Sequence, residues 1–318
     1  MSAPVFRRVL VIRGGALGDF LLTLPVLAAL REAEPDAHVE VLAYPGIAAL
    51  ARAGGLADGV RSIEYGPLAG FFTRGGATDP ALRAYFASFD LVISYLYDPD
   101  GFFAENLRAA GVRRLVEGPH RAGGGAHAID QLAAPLAELG VPLSARAVRL
   151  AIAPDRTARP RVFLHPGSGS AAKNWPAEHW RTLAARWLVE DPDLHLAIVG
   201  GEADAAAVGM LRDLGAADRV SYLENQPLPE LAAALGGGLL YLGHDTGISH
   251  LAAAVGTPAL LLFGPTDPGI WAPPHNQVRV LRAPDGRLEA LSPETVRRAA
   301  ERLRELASGQ GNAETGPR

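Results

Sequence analysis

Residues 239–268, LLYLGHDTGISHLAAAVGTPALLLFGPTDP, decide how the rest of the chain is read. An apolar run at 239–242 stops at Gly243-His244-Asp245-Thr246-Gly247; a small-residue helical run follows over 248–255, then a second strand over 259–263. Strand, turn, helix and strand in that order form one unit of a parallel sheet. Gly247 lets backbone come close to a ligand, Asp245 or Thr246 can cap the helix, and the helix start offers free N–H groups with partial positive charge. Phosphate oxygens suit such a place. The same turn also serves as an ordinary crossover with Asp245 as its N-cap. His250 and a second polar turn, Gly264-Pro265-Thr266-Asp267-Pro268, add weight to a ligand site.

Outward from this unit, both halves of the chain alternate strand and helix. The first half starts with a strand at 9–12, the turn Arg13-Gly14-Gly15-Ala16-Leu17-Gly18-Asp19 and a helix over 20–34. Further strands are expected at 38–43, 60–65 and 91–95, with helices near 47–53, 80–89 and 127–139. Glycine-rich stretches at 66–76 and 123–125 read as loops. A proline-bearing passage over 141–160 separates the halves, with the boundary expected near Asp155. The second half restarts with a strand at 161–164, a helix at 176–189, a strand at 194–199 and a helix at 203–214. Segments 220–223 and 229–235 lead into the opening unit, and a late strand falls at 278–281. An amphipathic helix over 292–306 has Ser292 as N-cap and Pro293 at its first position. The expected organisation is a first domain over 1–155, a second over 156–307 and a disordered polar tail over 308–318.

Composition narrows the function. The 318 residues, 48% hydrophobic and 20% charged, suffice for two domains with full cores. A net charge of −4 argues against a nucleic-acid partner, which asks for a strong basic excess. The absence of cysteine excludes disulfides, thiol catalysis and Cys-ligated zinc. Arg7-Arg8 before apolar residues imitates a secretory signal, but Arg13 and Asp19 interrupt the run. The longest later apolar stretch, around 251–263, is short for a membrane span and contains Gly256 and Pro258. A soluble cytoplasmic protein is expected, one able to work at a membrane surface.

Several residues could carry chemistry. The glycines at 14, 15 and 18 miss the G-x-G-x-x-G spacing of a dinucleotide fingerprint. Asp19 reads either as a helix cap or as a general base at the C-terminal edge of the first strand. His165-Pro166-Gly167-Ser168-Gly169-Ser170-Ala171-Ala172-Lys173-Asn174-Trp175-Pro176 follows the first strand of the second half. Ser168, Ser170 and backbone N–H groups could donate to a diphosphate, with Lys173 as a point charge; a flexible loop with a solvated lysine is the other reading. Glu202, after Gly200-Gly201, is either a ribose contact or a first-turn glutamate. His250 is either a ligand contact or a core histidine. No His, Asp and Glu cluster has metal-ligand spacing, so no metal and no cofactor are expected. Arg74, Arg113, Arg114 and Arg121 are solvated singly and as a set could receive an anionic acceptor.

The ordered set of segments resembles the family 9 glycosyltransferases, the bacterial ADP-heptose–lipopolysaccharide heptosyltransferases and their relatives. The resemblance rests on VLVIRGGALGDFLLTLP at 9–25, His127-Ala128-Ile129-Asp130, residues 165–176, Gly200-Gly201-Glu202, residues 245–250 and residues 263–268. It implies a GT-B fold, two Rossmann-like domains facing across a cleft, the second holding a nucleotide-sugar and the first a glycan or glycolipid acceptor. It implies a final helix that crosses back to the first domain. It gives Asp19 the part of catalytic base, Lys173 and the neighbouring hydroxyls that of phosphate ligands, and Glu202 a nucleoside contact. Asp245, Thr246, Gly247 and His250 would meet sugar and diphosphate. Ser168-Gly169-Ser170 stands where well-known members place threonines, and the loops around Phe71 and Gly124 would choose the acceptor. The expected activity is inverting, metal-independent sugar transfer, with ADP-heptose as donor. Rival readings are a transferase of another nucleotide-sugar, a GT-B epimerase, an NAD-dependent oxidoreductase resting on Gly14-Gly15 and Glu40, and a non-catalytic nucleotide-sugar binder.

Overall fold

The computed structural model describes residues 6–157, 159–216 and 218–313, with 309–313 given by backbone alone. The chain divides into two compact units, Met1–Ala151 and Ile152–Arg318.

In the first unit, β1 (Arg8–Ile12), β2 (His38–Ala43), β3 (Gly59–Ser62), β4 (Leu91–Ser94) and β5 (Leu115–Glu117) form one parallel sheet in the order β3-β2-β1-β4-β5. Val9 to Ile12 are buried on both faces, as the near-continuous apolar run of a covered parallel strand requires. The connecting helices are α1 (Leu17–Leu21), α2 (Leu24–Ala33), α3 (Pro45–Ala53), α4 (Pro80–Ala87), α5 (Phe102–Ala109), α6 (Ala128–Leu132) and α7 (Ala134–Leu139). Two expected helices are each split in two. Pro25 has no N–H to give the carbonyl of Leu21, and Pro135 acts likewise between α6 and α7. The stretch expected as an acceptor-choosing loop around Phe71 is a helical turn, Gly66–Phe72, and Phe71 is fully buried. Its ring tilts against Phe86 at 5.0 Å and Phe103 at 6.3 Å, so Phe71 belongs to the core, while Phe72 stays exposed.

In the second unit, β6 (Arg161–Leu164), β7 (His195–Gly200), β8 (Val220–Glu224), β9 (Leu240–His244), β10 (Ala259–Phe263) and β11 (Val278–Arg282) form a parallel sheet in the order β11-β10-β9-β6-β7-β8. Its helices are α8 (Ala177–Glu190), α9 (Ala205–Gly209), α10 (Leu228–Gly236), α11 (Gly247–Ala254), α12 (Pro268–Trp271) and α13 (Pro293–Ala313). α9 covers only the start of the expected 203–214 helix and stops at Gly209, a poor helix former. β9 runs two residues further than the expected strand: Gly243 and His244 belong to it, and the turn begins at Asp245. Trp175, Trp180 and Trp187 anchor the core beneath this sheet.

The final helix, for which a crossing back to the first domain is expected, packs on α8, β9, β10 and β11 of the second unit. Arg186 of α8 pairs with Glu294 of α13 at 2.9 Å and Arg297 of α13 with Glu190 of α8 at 3.6 Å, tying the two helices. The tail expected to be disordered from Ser308 is helical as far as Ala313, with the Ser308 hydroxyl donating to the Arg304 carbonyl at 2.9 Å. No proline stops the ladder there; residues 314–318 lie outside the described residues. Among the described residues no helix is long and apolar enough to cross a membrane.

Strand order reverses between β1 and β4 in the first sheet and between β6 and β9 in the second. At such a switch the connections leave to opposite sides and open a crevice beyond the strand ends, where open α/β sheets hold their ligands.

Candidate functional site

At the first switch, Gly15 has φ +90°, and a Cβ there would lie 2.7 Å from Asp19 Oδ2. Glycine thus permits the turn that folds Asp19 back on the strand end. One carboxylate oxygen, Oδ2, accepts the Ala16 N–H at 3.0 Å; the other, Oδ1, lies 3.5 Å from Arg13 Nη2. Asp19 caps its helix, yet its side chain stays 39% exposed. Arg13 is buried: Nη1 donates to the His120 carbonyl at 2.9 Å, and the guanidinium lies over the Tyr95 ring at 5.5 Å. Burial lowers its pKa, against the pull of Asp19 and Tyr95. These residues line a cavity of about 640 Å³ together with Tyr97, His120 and Arg121.

Of the four arginines expected to receive an acceptor, only Arg121 joins Asp19 around this cavity. Arg74 lies over the Phe102 ring at 5.4 Å. Arg113 pairs with Asp90 at 3.2 Å, and Arg114 donates to the Glu138 carbonyl at 2.7 Å. Both precede β5, at the edge of the sheet where the strands begin, whereas Asp19 stands where they end. Sequence proximity to a loop does not tell which end of a strand that loop serves. Glu40, the basis of the dinucleotide reading, is taken up by the Tyr85 hydroxyl at 2.7 Å. His127 caps α6 by accepting the Ile129 N–H at 3.2 Å, and Asp130 pairs with Arg146 at 2.6 Å.

At the second switch, Lys173 Nζ meets Asp245 Oδ2 at 2.7 Å. The contact joins the loop after β6 to the turn after β9 and leaves the lysine side chain 31% exposed. Thr246 is the N-cap of α11, accepting the Ser249 N–H at 3.4 Å, and Gly247 opens the helix. His250 is buried one turn in. Ser170 is exposed, while Ser168 is buried with its hydroxyl between the Ser170 carbonyl at 2.7 Å and Asn174 Oδ1 at 2.6 Å. Ser168 therefore shapes the loop. Glu202 is exposed at the start of a helical turn, Glu202–Asp204, after β7.

Beneath the loop runs a buried polar network that, apart from Thr246, whose hydroxyl lies 3.4 Å from His165 Nδ1, is made of residues given no role from sequence. His165 Nε2 lies 3.2 Å from Asp204 Oδ2, and its Nδ1 lies 3.2 Å from the Tyr241 hydroxyl. Tyr241 reaches Ser249 Oγ at 3.1 Å, and Ser249 donates to the His244 carbonyl. The signal was Tyr241 itself, since a phenol within a buried strand requires a polar partner. Gly167 makes room for the network, because a Cβ there would overlap the Asp204 carboxylate.

His244 is fully buried; burial, seconded by His165, pushes its pKa down to about 3. Burial alone would raise Asp204, but the His165 hydrogen bond and the Gly201 N–H outweigh it and hold the carboxyl below its ordinary range. A depressed folded pKa contributes stability that is present above the unfolded value, about 4, and is lost as pH falls through the folded value. Melting temperature should therefore fall more steeply below pH of about 4 in the wild type than in Asp204→Asn, which has no proton to take up there. Parallel curves would remove Asp204 from the acid response.

Residues 126–298 match the family model described as Glycosyltransferase family 9 (heptosyltransferase). The chain is 33% identical over 150 residues to lipopolysaccharide heptosyltransferase 1 of Escherichia coli O18:K1:H7, a match covering 46% of this chain and 44% of that protein. It spans less than half the length of each of the first curated relatives it matches. Among solved structures it is similar to a family 9 glycosyl transferase from Veillonella parvula (TM-score 0.77, 19% identity, 96% of this chain and 99% of that one). It is also similar to the E. coli heptosyltransferase WaaC with ADP (TM-score 0.72, 23% identity, 93% and 99%). The fold is therefore GT-B, and with over half its length inside the family match the chain belongs to glycosyltransferase family 9.

Proposed function

We propose that the protein is an inverting glycosyltransferase that moves heptose from ADP-heptose to a glycan acceptor of lipopolysaccharide synthesis. The observation that carries this reading is the Lys173–Asp245 contact, which unites two segments far apart in sequence at the strand-order switch of the second sheet. The relatives' names supply the donor and the acceptor class.

In this reaction the acceptor oxygen bonds to the anomeric carbon as the bond from that carbon to the diphosphate oxygen breaks. Asp19 takes the acceptor's proton, and the electron pair leaves with the diphosphate. Lys173, the Ser170 hydroxyl and the N–H groups at the start of α11 answer the negative charge that grows on the leaving group. Glu202 serves the nucleoside; Asp245, Thr246, Gly247 and His250 serve sugar and diphosphate. Arg121 and Arg13 favour an anionic acceptor. The place of work is the cytoplasmic face of the inner membrane.

Because a lysine and a helix start supply positive charge at the diphosphate, transfer is expected to run without a divalent cation. Among the described residues no group of three or more His, Asp or Glu side chains gathers to hold one. ADP release from ADP-heptose in the presence of acceptor should continue in EDTA. Loss of turnover in EDTA, restored by magnesium or manganese, would refute the charge assignment; no release under any condition would refute the transferase reading.

A further inference from the structure

The loop between β6 and α8 carries Ser170 and Lys173, the side chains assigned to the diphosphate. A loop of this kind holds a phosphate well only if its ends are fixed, because each disordered residue charges its ordering entropy to the ligand. Both ends are fixed by one side chain. The Trp175 N–H donates to His244 Nε2 at 2.8 Å, and His244 Nδ1 lies 3.3 Å from the Gly167 carbonyl. A backbone N–H can only donate, so Nε2 is the acceptor and the ring's one proton sits on Nδ1, aimed at Gly167. The neutral imidazole thus closes residues 168–174 into a ring.

His244 is itself held. Its carbonyl accepts Ser249 from α11, the Trp180 ring meets it edge-on at 5.4 Å, and it is the last residue of β9, directly before Asp245. The Trp175 indole adds a further anchor by donating to the Leu291 carbonyl at 2.8 Å. The histidine and the lysine's partner are consecutive residues, so one strand end fixes both the base of the loop and the direction of its cation.

We infer that His244 is a positioning residue for diphosphate binding: it clamps both ends of the 168–174 loop and so sets Lys173 and Ser170 toward the phosphates. This rests on the donor reading above, and the test separates the two. Affinities for ADP and for adenosine are measured by calorimetry on wild type, His244→Phe and His244→Gln, below each variant's melting transition. Phenylalanine keeps the ring against Trp180 but neither donates nor accepts; glutamine offers an amide NH2 to donate and a carbonyl oxygen to accept.

In His244→Phe, ADP affinity should fall about tenfold, the scale of one or two hydrogen bonds left unmade, while adenosine, which lacks the phosphates, should change less than about twofold. His244→Gln should recover part of the ADP affinity, and it keeps the test open should the phenylalanine variant fail to fold. Unchanged ADP affinity in the folded variants, or equal weakening of ADP and adenosine, would overturn the inference and leave His244 a core residue. A wild type that binds no ADP would instead overturn the donor reading.

Discussion

Asp19→Asn should lower the single-turnover rate of transfer by ~10²–10⁴-fold, the range for loss of a general base, with near-normal folding and near-normal ADP affinity. The structure sharpens the comparison. Asp19 is a helix cap, accepting the Ala16 N–H at 3.0 Å, and asparagine keeps an oxygen for that bond. Loss of a cap costs only ~1 kcal/mol of stability and touches no rate. The exposed carboxylate beside a cavity therefore predicts a collapsed rate, and the cap alone predicts none. Melting temperature, ADP affinity and rate on one preparation decide it. A variant that transfers at near wild-type rate would sink the base assignment.

The second large effect is expected at Lys173. Lys173→Ala removes a cation and also strips Asp245, whose side chain is 11% exposed, of its partner. The diphosphate would then meet a bare carboxylate in place of a neutralised pair. ADP affinity should fall about 10- to 100-fold, in line with one or two charge-assisted hydrogen bonds. Adding Asp245→Asn to Lys173→Ala should tighten ADP again by removing the repulsion, a coupling expected of residues in contact. If Lys173→Ala binds ADP as the wild type does, the lysine is a solvated loop residue and the diphosphate sits elsewhere.

The architecture was legible because parallel strands buried on both faces leave apolar runs that few other structures leave. Segments such as 9–12 and 259–263 also stand next to glycine-bearing turns that mark their C-terminal ends. Asp19, Lys173 and Asp245 were legible for the same reason, being polar residues just past such ends. What escaped was whatever depends on a neighbour distant in sequence. His244 looked like part of a turn because it follows a glycine, yet β10 pairs with the backbone there and keeps it in the strand. Ser168 and Ser170 are alike on paper, and only Asn174 folding back on the loop makes one buried and the other exposed. Arg113 and Arg114 were grouped with Arg121 on charge and nearness to loops, although a strand's length separates the two edges of the sheet.

The pairing of β6 with β9 bears on how the protein is made. These two strands flank the second switch, yet one begins at Arg161 and the other ends at His244, and α13 must still dock over β9 and α8. A chain that leaves the ribosome from its N-terminus can complete its first unit while the second is still being synthesised. The second unit has to wait for α13, so the cavity beside Asp19 can form well before the strands of the second switch are packed in place.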